Sequence, residues 1–194
     1  MLKTIQNLTK AFIWESQARN RYTFFSKQAS KEWYDQISEI FNLTANQELE
    51  HATELYKMII WLRTKTWEDF KAIKVEAEAT IVFGTTLENL KSAIEWEAHE
   101  EISMYPEFVK VSEDEWLNDI ALKLKSIIIA ERHHKERYSK LAKELENWSL
   151  FKKEENITRA CRKCWYLHTW KEPLKKCPLC WHDQSYAEVL NENY

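Results

Sequence analysis

Residues 37–62 read ISEIFNLTANQELEHATELYKMIIWL. Ile37, Phe41, Thr44, Leu55, Met58 and Leu62 recur three or four positions apart, the spacing that gathers side chains on one face of an α-helix. In the middle of that face stand Glu48 and His51, where apolar residues belong. Residues 120–145 repeat the arrangement, with Ile120, Leu124, Ile127, Glu131, His134, Tyr138, Leu141 and Leu145 in one stripe.

Two further stripes lie outside these. Ile5, Leu8 and Phe12 lead to Glu15 and then Tyr22, and Leu90 and Ala93 lead to Glu97, Glu100, Met104 and Phe108. Residues 1 to about 146 hold only Gly84 and Pro106 as breakers and are rich in Glu, Lys, Leu, Ile and Ala, so the pattern predicts four helices. Residues 65–84 are too long for a tight turn and suit a crossover, so the predicted fold is an all-α four-helix bundle with one long crossover. The halves also match. Glu15 precedes Glu48-x-x-His51 by 33 residues and Glu97 precedes Glu131-x-x-His134 by 34, as a duplicated helix pair would.

Burying one unpaired carboxylate costs several kcal/mol. Carboxylates in register on four core stripes therefore require cations, and bound metal supplies them. Glu and His three apart on a helix point the same way, and carboxylate oxygen with imidazole suits iron or manganese. One Glu from each of two helices plus Glu-x-x-His from each of the other two is a known di-metal arrangement of helix bundles. His99 and His133 fall one residue off the stripes and His168 and His182 lie outside the bundle, so all four are expected to be non-ligands. Tyr22 and Tyr105 are placed to hydrogen-bond the ligand carboxylates.

From Asn147 the helical period fades, and residues 161–181 carry both remaining prolines, Pro173 and Pro178. The predicted division is a bundle at 1–146, a linker at 147–156 and a small metal-knuckle domain at 157–194. Cys161-x-x-Cys164 and Cys177-x-x-Cys180 can form two knuckles around one tetrahedral metal. Zinc and iron fit that site equally by ligand and geometry; a redox bundle that needs an electron source favours iron.

The formal net charge of −3 comes with both signs mixed along the chain, which argues against a nucleic-acid surface. No leader-like start and no apolar run of about 20 residues is seen, so a soluble, cytoplasmic protein without membrane contact is expected.

These motifs resemble the rubrerythrin family, over nearly the whole chain. Its carriers are Glu15-Ser16-Gln17-Ala18-Arg19, Glu48-Leu49-Glu50-His51-Ala52, Glu97-Ala98-His99-Glu100, Met104-Tyr105-Pro106-Glu107-Phe108, Ala130-Glu131-Arg132-His133-His134 and the two cysteine knuckles. The resemblance implies a ferritin-like di-iron bundle followed by a rubredoxin-like domain. It implies two irons held by Glu15, Glu48, Glu97, Glu100, Glu131 and His134, with His51 exchanging against Glu100 as iron changes oxidation state. A third iron would sit on Cys161, Cys164, Cys177 and Cys180. The implied activity is reduction of hydrogen peroxide to water in oxidative-stress defence. Electrons would come from a separate NAD(P)H-linked reductase through the four-cysteine iron, in a head-to-tail homodimer. Ferrous iron oxidation of the ferritin kind, or electron transfer without catalysis, are the competing readings.

One departure from that pattern is compositional. The chain has 1 Gly and 10 Trp, whereas Gly ordinarily makes up about 7% of residues. Trp165 and Trp181 follow the second Cys of each knuckle, where the chain turns sharply and Gly is favoured. Trp14 and Trp96 precede the lone Glu residues, and Trp33, Trp116, Trp148 and Trp170 fall at expected turns or helix ends. The pattern predicts that many of these positions are glycine in the living protein, through a UGA codon that the source reads as glycine.

Overall fold

The computed structural model describes residues 2–67 and 71–192; Met1, residues 68–70 of the expected crossover, and 193–194 lie outside the described residues. The predicted helices form. They are α1 (Lys3–Lys31), α2 (Asp35–Lys65), α3 (Thr86–His99), α4 (Tyr105–Asp114) and α5 (Asn118–Glu146). A π-helical turn, Glu100–Met104, joins α3 to α4, so residues 86–114 form one rod, the third of the bundle. In the described part of the crossover, residues 71–84 have no regular secondary structure.

Helix α1 packs along α2, and the third rod packs along α5. The core is two apolar clusters with an ionisable layer between them. One contains Ile5, Leu8, Leu55, Leu62, Phe108 and Leu124, the other Tyr22, Phe25, Phe41, Leu90 and Tyr138. Glu15 follows the first cluster along α1 and precedes the second, and Glu48 with His51 occupies the same middle level on α2. Each fully buried large side chain contributes about 1.5 to 3 kcal/mol. Those clusters are what hold the polar layer dry.

Helix ends are stitched across the bundle. The carboxylate of Glu115, just after α4, accepts hydrogen bonds from the backbone N–H of Lys3 and Thr4 at 2.8 and 3.0 Å, serving α1, whose own N-cap Leu2 has no acceptor side chain. Glu32, just after α1, does the same for Thr86 at 2.9 Å. Helix α3 begins with a capping box in which Thr85 and Glu88 satisfy each other's backbone N–H.

After α5, β1 (Ile157–Cys161), β2 (Leu167–Trp170) and β3 (Ala187–Val189) form an antiparallel sheet in the order β2-β1-β3. Arg159 on β1 donates to the carbonyls of Phe151, Trp170 and Lys171, tying the sheet to the stretch that leads into it. Arg162 pairs with Glu39 of α2, and Tyr34 stacks on Phe151, so the sheet leans against the start of α2. Trp170, expected at a turn or a helix end, is the last residue of β2, just before a bend at 171–172.

Candidate metal centres

Glu15, Glu48, His51 and Glu131 offer ligand atoms that all lie within 4.8 Å of one another; so do Glu48, Glu97, Glu131 and His134. Glu48 and Glu131 belong to both sets. Two centres sharing two carboxylates is the geometry of a bridged pair of ions. The pair is also symmetric about the duplication, with Glu15 and His51 outermost in one set and Glu97 and His134 in the other.

The donors fit cations and nothing else present. His51 Nδ1 lies 3.0 Å from Glu48, 2.9 Å from Glu131 and 3.8 Å from Glu15. His134 Nδ1 lies 3.2 Å from Glu48, 2.9 Å from Glu131 and 3.6 Å from Glu97. One nitrogen can donate one proton, so neither imidazole can satisfy three carboxylates. Buried oxygens of Glu15, Glu97 and Glu100 have no hydrogen-bond donor. The other ring nitrogen of His134, Nε2, lies 3.0 Å from Gln47 Oε1, which helps to orient the ring.

Electrostatics measures the frustration of the protein's own groups. Burial, then the neighbouring carboxylates, pushes Glu15, Glu97 and Glu100 well above the ordinary carboxylate range. Glu48 goes the other way, to about 2: burial would raise it, but hydrogen bonds from His134 and His51 outweigh burial. Burial would lower His134, yet its contacts with Glu131, Glu48 and Glu97 raise it to about 12. Metal ions would supply the missing positive charge at a point that all these atoms already face.

Two tyrosines complete the centre. Tyr22 on α1 donates to Glu97 Oε1 at 2.5 Å, and Tyr105 at the start of α4 donates to Glu15. Burial, then the adjacent carboxylates, raises both phenols well above their ordinary value, so each keeps the proton it donates. Glu100, the first residue of the π-helical turn, is buried beside Glu15, Glu131 and Glu97 without joining either set. His51 is 15% exposed at its side chain and lines a surface cleft of about 260 Å3 with Glu50, Glu54, Met58, Lys123 and Ile127. Among the ion-pair partners at the centre the next most exposed is His134, at 4%.

The sequence reading located Glu15, Glu48, His51, Glu97, Glu131 and His134 at one place, and the structure brings them together. It missed Gln47, which adjoins Glu48 but lies off the stripe, and it missed the π-helical turn. His133 and His99 are exposed, and His99 packs on Trp14 and Trp96.

The four cysteine sulfurs form the second site. Cys161 Sγ lies 3.6 Å from Cys180 Sγ, and Cys164 Sγ lies 3.5 Å from Cys177 Sγ. Disulfide sulfurs are about 2.05 Å apart, whereas a tetrahedron with metal–sulfur bonds near 2.3 Å has edges of about 3.8 Å. The cluster has the size of a four-thiolate metal site.

Comparison with known proteins agrees with both sites. The family model described as Rubrerythrin matches residues 6–142. A rubrerythrin-type protein of Methanocaldococcus jannaschii is 51% identical over 195 residues, covering 100% of this chain and 96% of that protein. Rubrerythrin-1 of Clostridium acetobutylicum is 41% identical over 193 residues, covering 99% and 96%. Among solved structures, nigerythrin in a partially reduced state has a TM-score of 0.63 at 26% identity, covering 98% of this chain and 88% of that one. The two sites match the family's iron cofactors, a di-iron carboxylate and histidine centre in a ferritin-like bundle and a rubredoxin-like four-cysteine centre. On a family model spanning most of the bundle and relatives matched from end to end, this chain belongs to the rubrerythrin family of iron oxidoreductases.

Proposed function

We propose that this protein reduces hydrogen peroxide to water at the di-iron centre, with electrons relayed through the four-cysteine iron. The carrying observation is Glu100: a second buried carboxylate on the third rod, held by a π-helical turn beside the two four-residue ligand sets without belonging to either. A pair of ferrous ions supplies the two electrons that, with two protons, turn one peroxide into two waters. Glu15, Glu48, Glu97, Glu131 and His134 would hold the ions, with His51 and Glu100 as the alternative ligands when iron changes oxidation state. Tyr22 and Tyr105 fix the orientation of Glu97 and Glu15 by donating to them. The cleft at His51 opens to the surface beside the centre, where a small oxidant has room to approach.

The same reading treats residues 1–146 and 157–194 as two working units joined by 147–156. It places the protein in the cytoplasm as a head-to-tail homodimer fed by an NAD(P)H-linked reductase.

Steady-state consumption of peroxide by iron-loaded protein, driven by a chemical reductant, tests the function. Two electrons used per peroxide, with iron staying at three ions per chain, is the expected result. Uptake of ferrous iron into a growing ferric store, without peroxide turnover, would replace it with iron handling.

A further inference from the structure

Among the described residues, six have positive φ: Trp33 at 65°, Trp67 at 53°, Trp116 at 61°, Trp148 at 56°, Trp165 at 62° and Trp181 at 62°. Every one is tryptophan, a residue type that supplies 10 of the chain's 194 positions. The left-handed region is uncommon for any residue with a Cβ and a genuine outlier for a bulky one, whereas glycine enters it freely. Gly84, the chain's one glycine, is not among them.

The positions are those where glycine is wanted. Trp33, Trp67, Trp116 and Trp148 each stand one residue past the C-cap of α1, α2, α4 and α5. At three of them the double hydrogen bond of a Schellman motif is complete. Trp33 N–H donates to Ser30 and Tyr34 N–H to Ala29; Trp116 to Glu113 and Leu117 to Ser112; Trp148 to Leu145 and Ser149 to Glu144. Trp165 and Trp181 close the two cysteine knuckles, donating to the carbonyls of Cys161 and Cys177. No indole among the six is buried in compensation; the least exposed, Trp165, is at 56%.

We propose that Trp33, Trp67, Trp116, Trp148, Trp165 and Trp181 are glycine in the protein as its own cells make it, inserted at UGA codons that this sequence renders as tryptophan. UGA is a stop in the standard code, but some genetic codes read it as tryptophan and others as glycine. Asn or Asp also tolerates the left-handed region, but composition selects glycine. At about 7% usage a chain of this length would hold about 14 glycines, where the sequence has 1, and the six positions with Gly84 would bring it halfway to that number. Trp14, Trp61, Trp96 and Trp170 are outside the six and are not needed for the argument.

The gene and the native protein decide it. TGA is expected at all six codons, and TGG at them would overturn the proposal. Tryptic peptides of protein from the source cells should then show glycine masses at 165 and 181, in the peptides beginning at Cys164 and Cys177; tryptophan masses there would overturn it. As an independent check, recombinant chain as written is compared with a chain carrying all six Trp→Gly changes. The changed chain should melt at a higher temperature and fill its four-cysteine site more completely with added ferrous iron. An equal or lower melting temperature with equal filling would remove the structural basis of the proposal.

Discussion

The phenol of Tyr22 on α1 donates to the carboxylate of Glu97 on α3, and Tyr105 on the third rod returns the bond to Glu15 on α1. Each half of the bundle thus holds a candidate ligand of the other half. Tyr22 follows Glu15 by seven positions, but Tyr105 follows Glu97 by eight. The same extra residue separates Glu32 from Glu115 as helix caps, and the 33-residue from the 34-residue interval between lone Glu and Glu-x-x-His. It sits in the π-helical turn Glu100–Met104. The first half has Ala18 where the third rod has Glu100, so the added residue follows directly on a buried carboxylate that has no counterpart in the first half.

Tyr22→Phe leaves a buried oxygen of Glu97 without its donor. A loss of about 1 to 3 kcal/mol in unfolding free energy is expected, with metal affinity down about 10- to 100-fold. Denaturant melts and metal titration measure both; unchanged affinity would show that the phenol does not orient Glu97.

Glu48→Gln should lose both ions, because Glu48 is common to both ligand sets. Glu97→Gln should weaken chiefly one. Metal analysis after dialysis distinguishes these, and equal loss in the two variants would argue against a shared carboxylate.

Deleting Ile102, which is 70% exposed, removes the extra residue of the π-helical turn without taking a side chain from the core. Bulged turns of this kind are kept at functional sites. The deletion should keep helix content and thermal stability within a few degrees while cutting peroxide reduction at least about tenfold. Full activity would separate the turn from function.

Glu115 gives a pH signature. Partial burial alone would raise its pKa, but hydrogen bonds from Thr4 and Lys3 outweigh burial and hold it below its ordinary 4.5. A group with a lowered folded pKa stabilises above its unfolded value, and that stabilisation disappears as pH falls through the folded one. Glu115→Ala should cost about 1 kcal/mol at neutral pH, as lost helix caps do. The gap from the parent should close below about pH 4.5, read from melts across that range.

The bundle was legible because Glu48, His51, Glu131 and His134 interrupt otherwise apolar stripes, and a buried charge has few explanations. The cysteine site was legible because paired C-x-x-C spacing fixes its own geometry. The π-helical turn was not legible, since Glu97, Glu100, Met104 and Phe108 keep a spacing that an ordinary helix also satisfies. Gln47 was missed for a related reason: it reaches His134 from beside the stripe. Trp67 escaped notice as a turn position because it follows a helix whose end gives no compositional break.

The central claim is that peroxide oxidises the bundle irons and that the four-cysteine iron refills them. Fully reduced, iron-loaded protein is mixed anaerobically with hydrogen peroxide in a stopped-flow instrument while the visible absorbance of the ferric four-thiolate site is followed. Rapid appearance of that absorbance, much slower with oxygen and abolished in Glu97→Ala, is the predicted result. Absence of reoxidation in protein whose bundle is shown to hold both irons would contradict it.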